Sequence, residues 1–176
     1  MQEEMTTQLK VIETVYRGHL FRSRIEARWA VFYDALGVPW EYEKEGFDLD
    51  GSDDRGSWYL PDFWLPEQDC FVEIKGEIPK LIEEIKASVL SQKSGKIVHI
   101  FYGPLPTIER YGGWGEELDE QSGVYTFTPK VKMFSGFLWG RSITSGEYQV
   151  GPISKDFDSA TDSIVHAYNE ARSARF

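Results

Sequence analysis

The apolar positions of residues 18–36 fall on one stripe. Phe21, Ile25, Trp29, Phe32 and Leu36 recur at spacings of 4, 4, 3 and 4, the period of an amphipathic helix, and Gly37 and Pro39 close it. The pattern predicts a helix over residues 18–36 that begins near Gly18 or His19, because Phe21 is already in phase. Residues 40–49 have the aromatic content of a strand broken near Gly46, and residues 52–56 form a turn cluster. Two short β-type runs, residues 57–65 and 70–75, flank Pro66-Glu67-Gln68-Asp69 and predict a hairpin. Pro79 suits a first helical turn, Ile78, Ile82, Ile85 and Val89 trace an apolar face, and Ser94-Gly95 ends the run. Residues 97–102 then form a nearly continuous apolar strand stopped by Gly103-Pro104. Strand, helix and buried strand in succession predict a crossover with a parallel pairing. The order α-β-β-β-α-β over residues 18–102 predicts an α/β fold of mixed α+β character, with a central mixed sheet flanked by helices.

Beyond residue 103 the pattern changes. Glycines and prolines punctuate short aromatic runs at 124–128, 131–139 and 147–150, which predicts a β-rich insertion over about 104–155. Ala160, Ile164, Tyr168 and Ala171 then mark a closing helix within 157–175. The expected organisation is one domain over 1–176, its core formed by about 11–103 and 156–176, after a polar start.

Composition narrows the class. A chain of 176 residues that is 41% hydrophobic and 15% aromatic can bury a sizeable core. No apolar run approaches the roughly 18–20 residues that span a bilayer, so no membrane partner is expected. The acidic start, Met1-Gln2-Glu3-Glu4-Met5, lacks a signal pattern. The single cysteine, Cys70, excludes an internal disulfide framework and a cysteine-based zinc site. These features imply a soluble chain of the cytoplasm.

Charge argues against an unassisted nucleic-acid binder, which is normally basic. Nineteen basic and twenty-nine acidic residues leave a formal charge of −10. Seven acids between 41 and 54 (Glu41, Glu43, Glu45, Asp48, Asp50, Asp53, Asp54) face one lysine, and Glu116-Glu117-Leu118-Asp119-Glu120 forms a second knot. Solvated acidic loops are the simplest account of both. A nucleic-acid function would have to rest on local chemistry and metal ions.

The hairpin supplies such chemistry. With residues 66–69 as its loop, Leu65 pairs with Cys70, Trp64 with Phe71, and Asp62 faces Glu73. Directly opposed side chains share a sheet face, where like charges are destabilising. Two opposed carboxylates therefore share a proton or hold a divalent cation, and strand alternation adds Lys75 to the same face. Mg²⁺ takes one or two carboxylates plus substrate phosphate, and a lysine beside it orients or deprotonates water or stabilises phosphoryl charge. The competing reading makes Glu73 and Lys75 ordinary charges on an edge strand and Asp62 a turn residue.

Pro61-Asp62, ten residues, then Glu73-Ile74-Lys75 resembles the signature of the PD-(D/E)xK, restriction-endonuclease-like nucleases. Tyr16-Arg17-Gly18 and Phe21-Arg22-Ser23-Arg24-Ile25-Glu26-Ala27-Arg28-Trp29 resemble the opening helix of small phage and bacterial members, and 172–176 their closing segment. The resemblance covers 16–76 well, extends over 77–103 and 157–176, and is absent from 104–155. It implies a restriction-endonuclease-like core and a metal-dependent DNA nuclease of a bacterial or phage-infected cell. Asp62 and Glu73 would then bind Mg²⁺, with Mn²⁺ in substitution, Glu26 would complete the metal site, and Lys75 would serve the water. Arg22, Arg24, Arg28, Lys80, Arg172 and Arg175 are candidates for phosphate contacts. Against this, Arg22 has a helix-surface pairing with Glu26 worth a few tenths of a kcal/mol, and Arg172 and Arg175 suit a helix C-terminus. Ser23-Arg24-Ile25-Glu26 also reads as a capping box, which would make Glu26 a helix-start residue. A homodimer or a partner protein would supply DNA affinity to so acidic a chain. The alternative is a binding protein, either an inactive nuclease relative or an acidic DNA mimic. His19, His99 and His166 are scattered and read as core or surface residues.

Overall fold

The computed structural model describes residues 12–51, 57–106, 122–130, 132–134, 137–142, 145–152, 157–158 and 161–176. The turn cluster at 52–56 and the acidic knot at 116–120 lie outside them. The described residues form a mixed α/β structure of three helices and a mixed central sheet. That sheet has six strands in the order β10-β9-β8-β7-β6-β3: β3 (Glu41–Tyr42), β6 (Phe63–Leu65), β7 (Cys70–Lys75), β8 (Ile97–Tyr102), β9 (Gly123–Phe127) and β10 (Lys132–Phe134). Strands β7 and β8 are parallel, joined by the crossover helix α2 (Leu81–Ser94), and the remaining pairings of this sheet are antiparallel. Residues read as one β-rich insertion divide between two sheets. Strands β9 and β10 continue the central sheet, whereas β11 (Phe137–Ser142), β12 (Tyr148–Pro152) and β13 (Phe157–Asp158) form a second one.

Each face of the central sheet carries its own core. One face packs Cys70, Val72, Ile74 and Phe101 against helix α1 (Arg24–Leu36) and helix α3 (Asp162–Ser173), through Ala27, Ala30, Phe32, Tyr33, Ile164, Ala167 and Tyr168. The stripe of α1 is buried as its period requires, and the Phe32 and Tyr168 rings lie 4.4 Å apart. The other face packs Phe71, Val98, Ile100 and Phe127 against Ala87 and Leu90 of α2. Buried His99 meets Thr126 Oγ1 at 3.0 Å, and burial lowers its pKa to about 3, so it is a neutral core histidine. His166 is exposed. Among the described residues no helix is long and apolar enough to cross a membrane.

Two elements depart from the sequence pattern. The first helix starts at Arg24, not near Gly18, because β1 (Thr14–Tyr16) and β2 (His19–Phe21) form a hairpin before it. Arg17 (φ 47°) and Gly18 (φ 83°) give that hairpin the two successive positive φ angles of a tight turn. Phe21 is in helical phase yet closes β2, fully buried. In the second helix, Ile78, Ile82 and Ile85 are exposed rather than packed, and Ala87, Leu90 and Ser91 make the contact. The predicted strand over 57–65 is also split. Chain β5 (Trp58–Tyr59) pairs with β4 (Phe47–Asp48), and Pro61 marks the switch to β6 in the central sheet.

Candidate active site

The site forms where β6 and β7 part. Their ladder pairs Leu65 with Cys70, Trp64 with Phe71 and Phe63 with Val72, the register expected, with the Trp64 and Phe71 rings 4.6 Å apart. It stops at Phe63, since Pro61 has no N–H to contribute. The amide of Ile74 instead donates to Asp62 Oδ2 at 2.7 Å, while the Asp62 carbonyl accepts from Glu43 N–H at 2.9 Å. A carboxylate has thus replaced a main-chain ladder partner. Asp62 is 4% exposed and Glu73, next in the register, is 6% exposed.

Glu73 divides its two oxygens. Oε1 lies 2.7 Å from Lys75 Nζ, which also reaches Glu83 of α2 at 3.2 Å. Oε2 is buried and has no hydrogen-bond partner among the described residues, and the buried Tyr59 hydroxyl lies near enough to the Glu73 carboxylate to favour its charged form. Burial raises the pKa of Asp62 well above the usual range, and the charges of Glu73 and Glu26 push the same way. Glu73 is raised by burial, against the opposing pull of Lys75. Burial alone would lower the Lys75 pKa, but the charges of Glu73 and Glu83 outweigh it and raise it. Lys75 is consequently a held cation at neutral pH. It can orient water or stabilise phosphoryl charge, but it is not poised as a base.

Glu26 takes the helix-start position of the capping reading, not an interior one. Ser23 caps α1, accepting from Glu26 N–H at 3.3 Å, and its hydroxyl donates to Glu26 Oε1 at 2.6 Å. Glu26 Oε2 accepts from the Arg22 amide at 3.2 Å and from the Tyr42 hydroxyl at 2.7 Å. The side chain is nevertheless 7% exposed and its charge is felt at Asp62. Cap geometry therefore places the carboxylate at the site's edge. Glu26→Ala should strip the Ser23 and Tyr42 hydroxyls of this acceptor, leave the Arg22 amide with Tyr42 alone, and destabilise the protein by about 2 kcal/mol. Glu26→Gln retains an acceptor and should melt near the parent while lowering Mg²⁺-dependent cleavage, through the charge it removes beside Asp62. An active Gln variant beside an unstable Ala variant would assign Glu26 to the cap alone.

Of the basic candidates, Arg22 is the one that joins the site. It precedes α1, so its expected helix-surface pairing with Glu26 is replaced. Its amide meets Glu26, while its guanidinium pairs with Glu43 and lies 3.8 Å from Asp62 Oδ1. Arg24 is exposed on the first turn of α1, and Lys80 is exposed at the start of α2 with its amide bonded to Glu83 Oε2 at 2.8 Å. Arg172 ties α3 to the Pro106 carbonyl at 2.9 Å and to Asn169, a structural use. Arg175 is exposed beyond α3. Sequence reasoning missed Tyr42, Glu43, Tyr59 and Glu83. Only Glu83 had a local signal, its place three residues after Lys80 at a helix start.

Among the described residues no group of three or more His, Cys, Asp or Glu is placed to hold a metal ion. Glu26 spends both oxygens on its cap, so the donor set is a pair, Asp62 and Glu73. A pair fits Mg²⁺, which retains waters and takes one or two carboxylates with substrate phosphate. The unpartnered Glu73 Oε2 and the raised Asp62 are the groups a divalent cation would satisfy. No protein-family model, curated protein or solved structure matches the chain.

Proposed function

We propose that the protein is a metal-dependent DNA nuclease of the PD-(D/E)xK, restriction-endonuclease-like kind. One observation carries this reading: Asp62 and Glu73 are both buried where the β6–β7 ladder ends, near enough for the charge of Glu73 to act on Asp62, with Lys75 paired to Glu73. Burying two like charges is costly, and such arrangements cluster at functional sites. With the separate β4–β5 pair set aside, the order α1, β3, β6, β7, α2, β8, with β7 and β8 parallel, supports the same reading. Asp62 and Glu73 would hold Mg²⁺, or Mn²⁺ in its place, which supplies Lewis acidity at the phosphate and the leaving oxygen. Lys75, anchored by Glu73 and Glu83, holds a fixed positive charge for the developing phosphoryl oxygens and orients the attacking water. Arg22, paired with Glu43 and 3.8 Å from Asp62 Oδ1, would turn to a substrate phosphate.

The net charge of −10 favours a second reading, an inactive relative or acidic DNA mimic. Much of the acidic run is engaged internally, however. Glu43 pairs with Arg22, Glu41 with Lys44, and Asp48 Oδ1 accepts from Gly51 N–H and the Ser57 hydroxyl. Incubation with linear, nicked, branched and single-stranded DNA, and with RNA, separates the readings. Cleavage is expected with Mg²⁺ or Mn²⁺ and none with EDTA. Undiminished cleavage in EDTA would overturn the mechanism, and no cleavage of any substrate would favour the binding protein.

A further inference from the structure

A cleft of about 720 Å³ opens between the β6–β7 loop, the end of α1, and strands β8, β9 and β12. Cys70, the first residue of β7, lines it. Lys75 ends the same strand about 17 Å further along, and alternation turns Glu73 and Lys75 to the opposite face of the sheet from Cys70. The cleft is therefore separate from the candidate active site. Its volume suits a small molecule.

The lining specifies what it would hold. Val38, Ile97, Tyr148 and Val150 supply apolar walls. His99, 5% exposed, meets Thr126 through Nδ1, and its Nε2 has no partner among the described residues. Burial keeps the ring neutral, so with Nδ1–H donating to Thr126 Oγ1 the Nε2 atom offers a lone pair. Gln68 donates from Nε2 to the Tyr148 carbonyl at 3.3 Å. A carbonyl only accepts, which fixes the amide's orientation and leaves Oε1 buried and unpartnered among the described residues. Glu67 and Glu147 line the cleft from exposed positions. No lysine or arginine lies among the described residues that line it, and neighbouring Lys96 is held by both oxygens of Asp69 at 2.7 Å. The cleft thus gathers two unpartnered acceptors and two acids with no base to offset them. Such a lining disfavours phosphates and carboxylates, nucleic acid included, and favours a cation that carries N–H donors.

We infer that this cleft binds a small organic amine, its protonated nitrogen donating to the unpartnered acceptors within the field of Glu67 and Glu147, and its apolar body lying against Ile97 and Val150. The inference concerns a second ligand and stands apart from the cleavage reading, because its test measures binding without metal or DNA.

Phenethylamine, titrated into the full chain and followed by amide NMR, should bind saturably. The amides of Gln68, Ile97 and Val150 should shift and that of Lys75 should not. The same body bearing a carboxylate, 3-phenylpropionate, or a hydroxyl, 2-phenylethanol, should bind more weakly. Ile97→Trp, at a wall position 38% exposed, should fill the cleft and abolish binding while melting near the parent. Glu67→Gln with Glu147→Gln, both at exposed positions, should weaken binding by about ten-fold. Absence of saturable phenethylamine binding would overturn the inference, as would equal affinity for 3-phenylpropionate. Binding undiminished in either variant would also overturn it, since the amine would then sit elsewhere or owe nothing to the acids.

Discussion

Asp62→Asn should abolish Mg²⁺-dependent cleavage and, in the same variant, make the metal-free protein more stable. The loss follows from removing half of a two-carboxylate donor set, and a fall of about 10³-fold or more is expected. The gain follows from burial. Asp62 is held among Glu73 and Glu26 with one amide donor and a distant guanidinium, so its charge is poorly compensated. Asparagine retains an acceptor for the Ile74 amide and carries no charge to desolvate, which should add about 1 kcal/mol or more. For a chain of this size that is roughly 2–4 °C in melting temperature. The pH dependence has a definite sign. Asp62 and Glu73 both have folded pKa values raised above the ordinary carboxylate range. Their contribution is therefore fully present below about pH 4 and is lost as pH rises through the raised values. The advantage of the Asn variant should grow from acid toward neutral pH. Saturating Mg²⁺ should reverse the order, stabilising the parent by mass action more than the variant. A metal-free Asn variant that melts below the parent at pH 8 would show that the carboxylate is compensated.

Replacing Lys75 should separate rate from metal affinity. Its ammonium bridges Glu73 and Glu83 and is not itself a metal donor. Lys75→Met should cost about 10²–10⁴ in cleavage rate. Titration calorimetry should find its Mg²⁺ affinity far less affected than that of Asp62→Ala or Glu73→Ala. Because the charges of Glu73 and Glu83 hold Lys75 protonated, arginine at this position should rescue part of the rate by restoring the fixed charge. If all three variants bound metal as the parent does, the division of roles would be wrong.

The hairpin was the most legible part of the chain. A four-residue loop between two alternating runs leaves one register that buries both apolar faces, and that register alone opposes Asp62 to Glu73. The helix start was misread for a local reason. Phe21 satisfies the helical period and also the inward face of β2, and the backbone chose the second because Arg17-Gly18 turns the chain back and Ser23 caps afterwards. Periodicity fails differently in α2, whose apolar stripe is genuine but turned away from the core. A period reports an apolar face, not what covers it. Tyr42 and Tyr59 were invisible because only the pairings of short strands bring them to Glu26 and Glu73. Continuation of the sheet by β9 and β10 was missed because a strand after a long intervening segment carries no mark of its neighbour.

The packing of α3 on α1 bears on the order in which the protein can become competent during its own synthesis. Asp62, Glu73 and Lys75 belong to one hairpin, a local unit of the kind that closes within microseconds of leaving the ribosome. Glu26 sits on a helix whose buried side is completed by Ile164, Ala167 and Tyr168, nearly the whole chain later. Until that last helix has emerged, α1 lacks much of its packing and the carboxylate that bears on Asp62 has no fixed place. A nascent chain would carry the hairpin's charges in water, not in a formed cleft. On this account, the surroundings of the proposed site are complete only once α3 has been made.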